Sequence, residues 1–310
     1  MKKFLILTIA LLGCTSLTYG QQDTPYPQAT PNPINPEPQS ADAVRRSEDL
    51  NRRSDALRMT QNLPPKVPDS KRKEFAAMIV PLYRESTDEE REFMAPSVED
   101  KAAYERFAGK KNSGILRLVE DRGCADNAKV VSASFDCSRF SMPGAGSGYS
   151  FRFGDYRMHH IADIVFKKGN FEALGVLNHG IMIDLGDVPF ETVSEMTEGV
   201  GYLTKIKPSK DFQQAAELAD NLTMGIKEDG RTYASILPVK ESSTYVIRSI
   251  AYEGEALRNV AGIIYNELEI DRRRDVLIAF RVVRLADGSA TIVWKELDDS
   301  KAPKLKADKK

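Results

Sequence analysis

Residues 276–297 read VLIAFRVVRLADGSATIVWKEL. Apolar and β-branched side chains fill 276–285 and again 291–297, with Asp287-Gly288 between the two runs. Asp-Gly between such runs is a strong hairpin signal, because both residues tolerate the positive φ that a tight antiparallel turn requires. Arg281 and Arg284 interrupt the first run, which is in any case too short to cross a bilayer. The chain therefore ends its fold in a long antiparallel hairpin.

Working backwards, residues 259–270, 243–252 and 231–237 read as strands. Residues 211–224 read as a helix whose face is supplied by Phe212, Ala215, Ala216, Leu218 and Ala219. Residues 157–185 suggest a three-stranded meander turning at Lys168-Gly169-Asn170 and at Asn178-His179-Gly180. Residues 149–153 alternate aromatics like a strand, and 129–135 are β-branched. Before them come helices. Phe75, Ile79 and Leu82 recur at helical spacing until Pro81 interferes, Thr87 and Glu90 fit a capping box, and Ser97 caps 98–108 with Gly109 as the stop. Phe93, Tyr104 and Phe107 are expected to pack on the sheet. Regular βαβ alternation is missing, so the fold class is α+β: a largely antiparallel sheet with helices on one side.

The N-terminus carries a different message. Lys2 and Lys3 precede an apolar run over residues 4–12, followed by small residues, as in a bacterial export signal. Two processing sites compete. Thr18-Tyr19-Gly20 suits cleavage to a soluble protein, whereas Leu11-Leu12-Gly13-Cys14 resembles the lipobox of bacterial lipoproteins, which implies lipidation of Cys14. In the lipobox, Leu12 stands where a small residue is usual. The chain is expected in the periplasm or outside the cell, or lipid-anchored to a bacterial membrane.

Six prolines from Pro25 to Pro38 block helix and strand bonding and favour an extended spacer. The expected organisation is an export signal over 1–20, a Pro-rich spacer with a polar helix over 21–69, a helical lead-in over 70–112, a mixed α+β domain over 113–298 and a basic tail over 299–310. An oxidising compartment makes Cys124 and Cys137 a candidate disulfide. Their loop of about 14 residues would be worth roughly 3 kcal/mol on the chain-entropy model.

Charge excludes one class of partner. With 44 Lys+Arg against 45 Asp+Glu, no global field favours nucleic acid. Membrane contact is expected only through a lipid on Cys14.

Two stretches are candidates for chemistry. Pro143-Gly-Ala-Gly-Ser-Gly148 would let backbone amides of Gly144, Gly146, Ser147 and Gly148 approach a ligand. It lacks the lysine of a phosphate loop and the register of a nucleophile elbow. The second candidate is a polar site at His160 and His179. On a strand, His159 and His160 would face opposite ways, and His159 would lie roughly 13 Å from Asp163 at 3.3 Å per residue. His160 would share a face with Ala162, Ile164 and Phe166, as a packed histidine does. Ser70 begins a Ser-x-x-Lys match without its partner motifs and reads as a helix cap.

No residue is assigned a catalytic, cofactor-binding or metal-ligating role, and no cofactor is implied. The expectation is an exported, non-enzymatic binding or interaction domain whose partner is an envelope protein or cell-wall component. The alternative is an envelope hydrolase or metal-dependent enzyme joining the 144–148 loop to His160 or His179.

Overall fold

The computed structural model describes residues 67–121, 142–260 and 262–306. The signal, most of the spacer, Cys14, the Cys124–Cys137 pair and the strand expected at 129–135 lie outside them.

Four helices open the described chain: α1 (Arg72–Met78), α2 (Asp88–Phe93), α3 (Val98–Ala103) and α4 (Glu105–Ala108). The Thr87–Glu90 capping box is present in both directions, and the Ser97 side chain accepts from Asp100 N–H. Next come β1 (Ser113–Val119), β2 (Gly148–Ser150), β3 (Asp155–Tyr156), β4 (Ile164–Lys167), β5 (Asn170–Glu172) and β6 (Asn178–Gly186). Helices α5 (Val200–Lys205) and α6 (Phe212–Met224) separate these from β7 (Ile226–Glu228), β8 (Arg231–Tyr233), β9 (Ile236–Pro238) and β10 (Thr244–Ala251). The chain continues through β11 (Leu257–Val260), β12 (Ile263–Asn266), β13 (Arg274–Ala286) and β14 (Ser289–Lys301).

The hairpin that decides the fold is β13–β14. Its turn residues Asp287 and Gly288 have φ of 52° and 69°, and Ala286 faces Ser289 across it. This is the pairing expected of a two-residue turn with both residues left-handed. The hairpin lies inside a five-stranded antiparallel sheet of order β1-β14-β13-β10-β6.

Alternation sends the two faces of this sheet to different neighbours. Val276, Ile278, Phe280 and Val282 face a second sheet, of order β3-β2-β4-β5-β9, and share its core with Tyr149, Phe166 and Phe171. Leu277, Ala279, Val246 and Ile250 point the other way, onto Phe107, Val200, Leu203 and Leu222 from the helices. The architecture is therefore α+β with antiparallel sheets, as expected, and the central sheet is covered by helices on one face and by a second sheet on the other. Helix α6 is set by Asp211, which caps Gln214 N–H at 2.9 Å, and it buries Ala215, Ala219 and Leu222 along one stripe.

Several local readings need correction. Residues 157–185 do not form one meander, because β4 and β5 stay in the second sheet while β6 crosses to pair with β10. Asn178-His179-Gly180 is not a turn but the start of β6; the crossing occurs just before it, where Leu177 takes a positive φ of 43°. Phe93 is 47% exposed, since the next residue, Met94, takes the fully buried position at the end of α2.

Candidate active site

The Gly-rich run folds as a tight left-handed turn, with φ of 66°, 49° and 73° at Gly144, Ala145 and Gly146. Ala145 N–H donates to Met142 O at 3.0 Å and Ser147 N–H to Gly144 O at 2.9 Å. A Cβ on Gly144 would lie 2.2 Å from the Arg157 carbonyl oxygen. One on Gly148 would lie 2.6 Å from the same oxygen and 3.3 Å from the His159 ring. Glycine is thus required for the loop to press against residues 157–159. Gly144→Ala is expected to cost about 2–4 kcal/mol, combining left-handed strain with a clash against rigid backbone. Gly146→Ala should cost less, because its Cβ would meet the flexible end of Met94. Urea unfolding of the two variants checks the order.

Opposite the loop, residues 158–161 form a turn, not the strand read from the sequence. Ile161 N–H and Ala162 N–H both donate to Met158 O, at 3.0 and 2.9 Å. Met158 and Ile161 bury themselves while the two histidines between them diverge. His159 Nε2 lies 2.7 Å from Ser147 Oγ. Its other ring nitrogen, Nδ1, lies 3.9 Å from Asp121 Oδ2. Lys167 Nζ is 3.6 Å from that same carboxylate oxygen.

One backbone residue registers the acid and the serine. Phe166 N–H donates to Ser147 O at 2.8 Å, and Phe166 O accepts from Asp121 N–H at 2.8 Å. A serine, a histidine and a carboxylate in this sequence of contacts are the components of an activated nucleophile.

The resting hydrogen bonds, however, run backwards for catalysis. Ser147 Oγ donates to Gly144 O at 2.6 Å, so its contact with His159 must be supplied by an Nε2–H donor. The working tautomer instead carries its proton on Nδ1, toward Asp121, and accepts from Ser147. Ser147 is fully buried and the His159 side chain is 12% exposed, so the pair is closed to a substrate in this conformation.

His160 faces a separate cluster. Its Nε2 abuts Glu267 Oε1, which also accepts from Tyr83 Oη at 2.5 Å and from Arg258 at 3.0 Å. Tyr83 Oη lies 2.7 Å from Tyr265 Oη. Burial of Glu267 favours its neutral form, but His160, Arg258 and the Tyr83 hydroxyl outweigh it and hold the carboxyl down at about 2, from an ordinary 4.5. The resulting stability is fully present above about pH 4.5 and is lost as pH falls through about 2. It amounts to about 3 kcal/mol at one pKa unit per 1.4 kcal/mol. Glu267→Gln is expected to lose that contribution at neutral pH and to flatten the acid limb of stability, read from denaturant unfolding across the pH range.

His179 joins three elements of the fold. Nδ1 meets Tyr252 Oη at 2.9 Å and Nε2 meets the Ala215 carbonyl at 2.8 Å, tying β6 to α6 and to the residue after β10. Neither His160 nor His179 is brought to Ser147 by the contacts that hold it. His159 is. Asp163, considered as a neighbour of His159, belongs instead to a buried network with Arg152. Among the described residues no three or more His, Cys, Asp or Glu side chains are arranged to hold a metal ion. No described helix is long and apolar enough to cross a membrane.

Comparison with protein-family models, curated proteins and solved structures finds no match to this chain.

Proposed function

We propose that this chain is a serine-type hydrolase acting at the bacterial envelope, with Ser147 as nucleophile, His159 as general base and Asp121 as the carboxylate that orients the ring. The observation carrying this reading is the 2.7 Å approach of His159 Nε2 to Ser147 Oγ, with a buried carboxylate on the opposite side of the imidazole. Ser147 Oγ would attack an acyl carbonyl carbon as its proton passes to His159 Nε2. Collapse of the tetrahedral adduct breaks the bond to the alcohol or amine leaving group, which takes that proton. Water then attacks the acyl-serine, giving one proton to His159, and Ser147 regains it as the acid departs.

The Ala145 and Ser147 amides close turns onto Met142 and Gly144, and in this closed form neither is aimed at an oxyanion. Catalysis therefore requires a shift of the loop as well as the tautomer change. The test is hydrolysis of a panel of activated aryl esters and anilides by the wild-type protein and by Ser147→Ala. Turnover that vanishes with Ser147 supports the proposal, and turnover that is absent or survives the substitution refutes it.

One observation favours a second reading. Complete burial of Ser147, with its hydroxyl on Gly144 O, is also how a serine braces a loop. The chain would then be a non-enzymatic binding module for an envelope protein or cell-wall component. Under that reading Ser147→Ala lowers stability and there is no turnover for it to remove.

A further inference from the structure

We infer that residues 79–94 form an autoinhibitory strap that holds the Ser147–His159 pair closed and must loosen before Ser147 can react. The inference rests on the hydrolase reading and concerns its regulation.

The strap touches the segments around the pair. Ile79 and Tyr83 pack in one apolar cluster with Met158 and Ile161, the residues that bracket the two histidines. The Tyr83 ring meets the His160 ring edge-on, with centroids 6.0 Å apart. Arg84 O accepts from the Arg157 guanidinium at 3.2 Å, and Ser86 N–H donates to Asp155 at 2.9 Å. Met94 closes the far end, with its Sδ and Cε occupying the space a Cβ on Gly146 would take. The same segment thus clamps the turn that carries the base and the loop that carries the nucleophile.

Its hold rests on a few points: Met94 packs in the core between the two five-stranded sheets, Phe93 O accepts from Arg117 of β1 at 2.6 Å, and Ser86 meets Asp155 of β3. Only Ile79, Tyr83, Ser86 and Met94 are buried along it, while the intervening residues are partly or fully exposed. Tyr83 latches it to Glu267 and Tyr265, beside the β11–β12 hairpin rather than in the five-stranded sheets. Segments with few buried anchors open at lower free energy than the core they cover. A site competent only in the open state reacts in proportion to that state's population.

The test compares wild type, Ile79→Ser, Tyr83→Phe and Glu267→Gln, all as the full chain. Two quantities are read: the rate at which a fluorophosphonate modifies Ser147, located by peptide mass spectrometry, and hydrogen exchange across the protein. The expected result is exchange in 79–94 that rises above wild type and outpaces that of β10 and β13, with Ser147 modification accelerated on the order of tenfold or more. Loosened strap exchange with Ser147 modified at the wild-type rate overturns the strap and leaves the hydrolase reading standing. No modification in any form, despite a loosened strap, refutes the hydrolase reading itself. Exchange in 79–94 that stays as slow as that of β10 and β13 in all three variants overturns the strap by making 79–94 an inseparable part of the core.

Discussion

Asp163→Ala is expected to destabilise the fold by about 3–5 kcal/mol, because it strips a buried guanidinium of one of its two carboxylate partners and leaves the buried network with excess positive charge. The side chains of Asp163 and Arg152 are both wholly removed from solvent, with Arg152 Nε 2.7 Å from Asp163 Oδ1. Arg152 also donates to Asp271 at 2.9 Å, to Arg272 O at 2.9 Å and to Ile161 O at 2.8 Å. Asp163 accepts further from Ser150 Oγ at 2.9 Å and from Ser249 Oγ at 2.5 Å, and Arg273 pairs with Asp271.

Two guanidinium groups and two carboxylates balance in this network. Burial opposes the charge on Arg152, yet Asp163 and Asp271 outweigh it and hold the group charged more firmly than usual. Removing Asp163 leaves two cations against one anion. The double variant Arg152→Met/Asp163→Ala removes one charge of each sign and should therefore lose less than the sum of its single variants. Urea unfolding of the four proteins measures the coupling. Additive losses would show that the pair does not act as a unit. Because Arg152 also holds Ile161 O, Asp163→Ala should loosen the turn that presents His159.

The second large effect concerns chemistry. Ser147→Ala and His159→Gln are each expected to lower ester turnover by about a thousandfold or more, as loss of a nucleophile or its base does in acyl transfer. The double variant should be scarcely worse than either single one, since the two groups act together. Asp121→Asn should cost less, because the 3.9 Å separation from Nδ1 is longer than a hydrogen bond. Initial rates at matched, folded protein concentration check all four variants. A His159→Gln protein that retains full turnover would remove the base from the mechanism.

The parts of this protein legible in the sequence were those in which cause and effect are close along the chain. The Asp287-Gly288 turn, the Thr87 capping box and the Asp211-capped helix each depend on a few neighbouring side chains. Alternation along 276–282 was equally plain, although not that its two faces meet different layers. What covers a face depends on partners far away in sequence.

The candidate site was half legible. Three glycines in five residues marked a backbone that must approach something closely, and the structure places the Arg157 carbonyl and the His159 ring there. His159 itself was hidden because a strand reading spaced it away from useful partners. The turn at 158–161 is held in part by packing against Ile79 and Tyr83, which no local pattern announces. Glu267 was invisible for the same reason, since Tyr83 binds it from 184 residues away.

The central claim is that His159 makes the Ser147 hydroxyl a nucleophile. It is tested most directly by treating wild type and His159→Gln with a fluorophosphonate and mapping the adduct by peptide mass spectrometry. The account predicts one adduct, on Ser147, in the wild-type protein and essentially none in the variant. An adduct that forms equally well without His159, or no adduct on Ser147 at all, would contradict it.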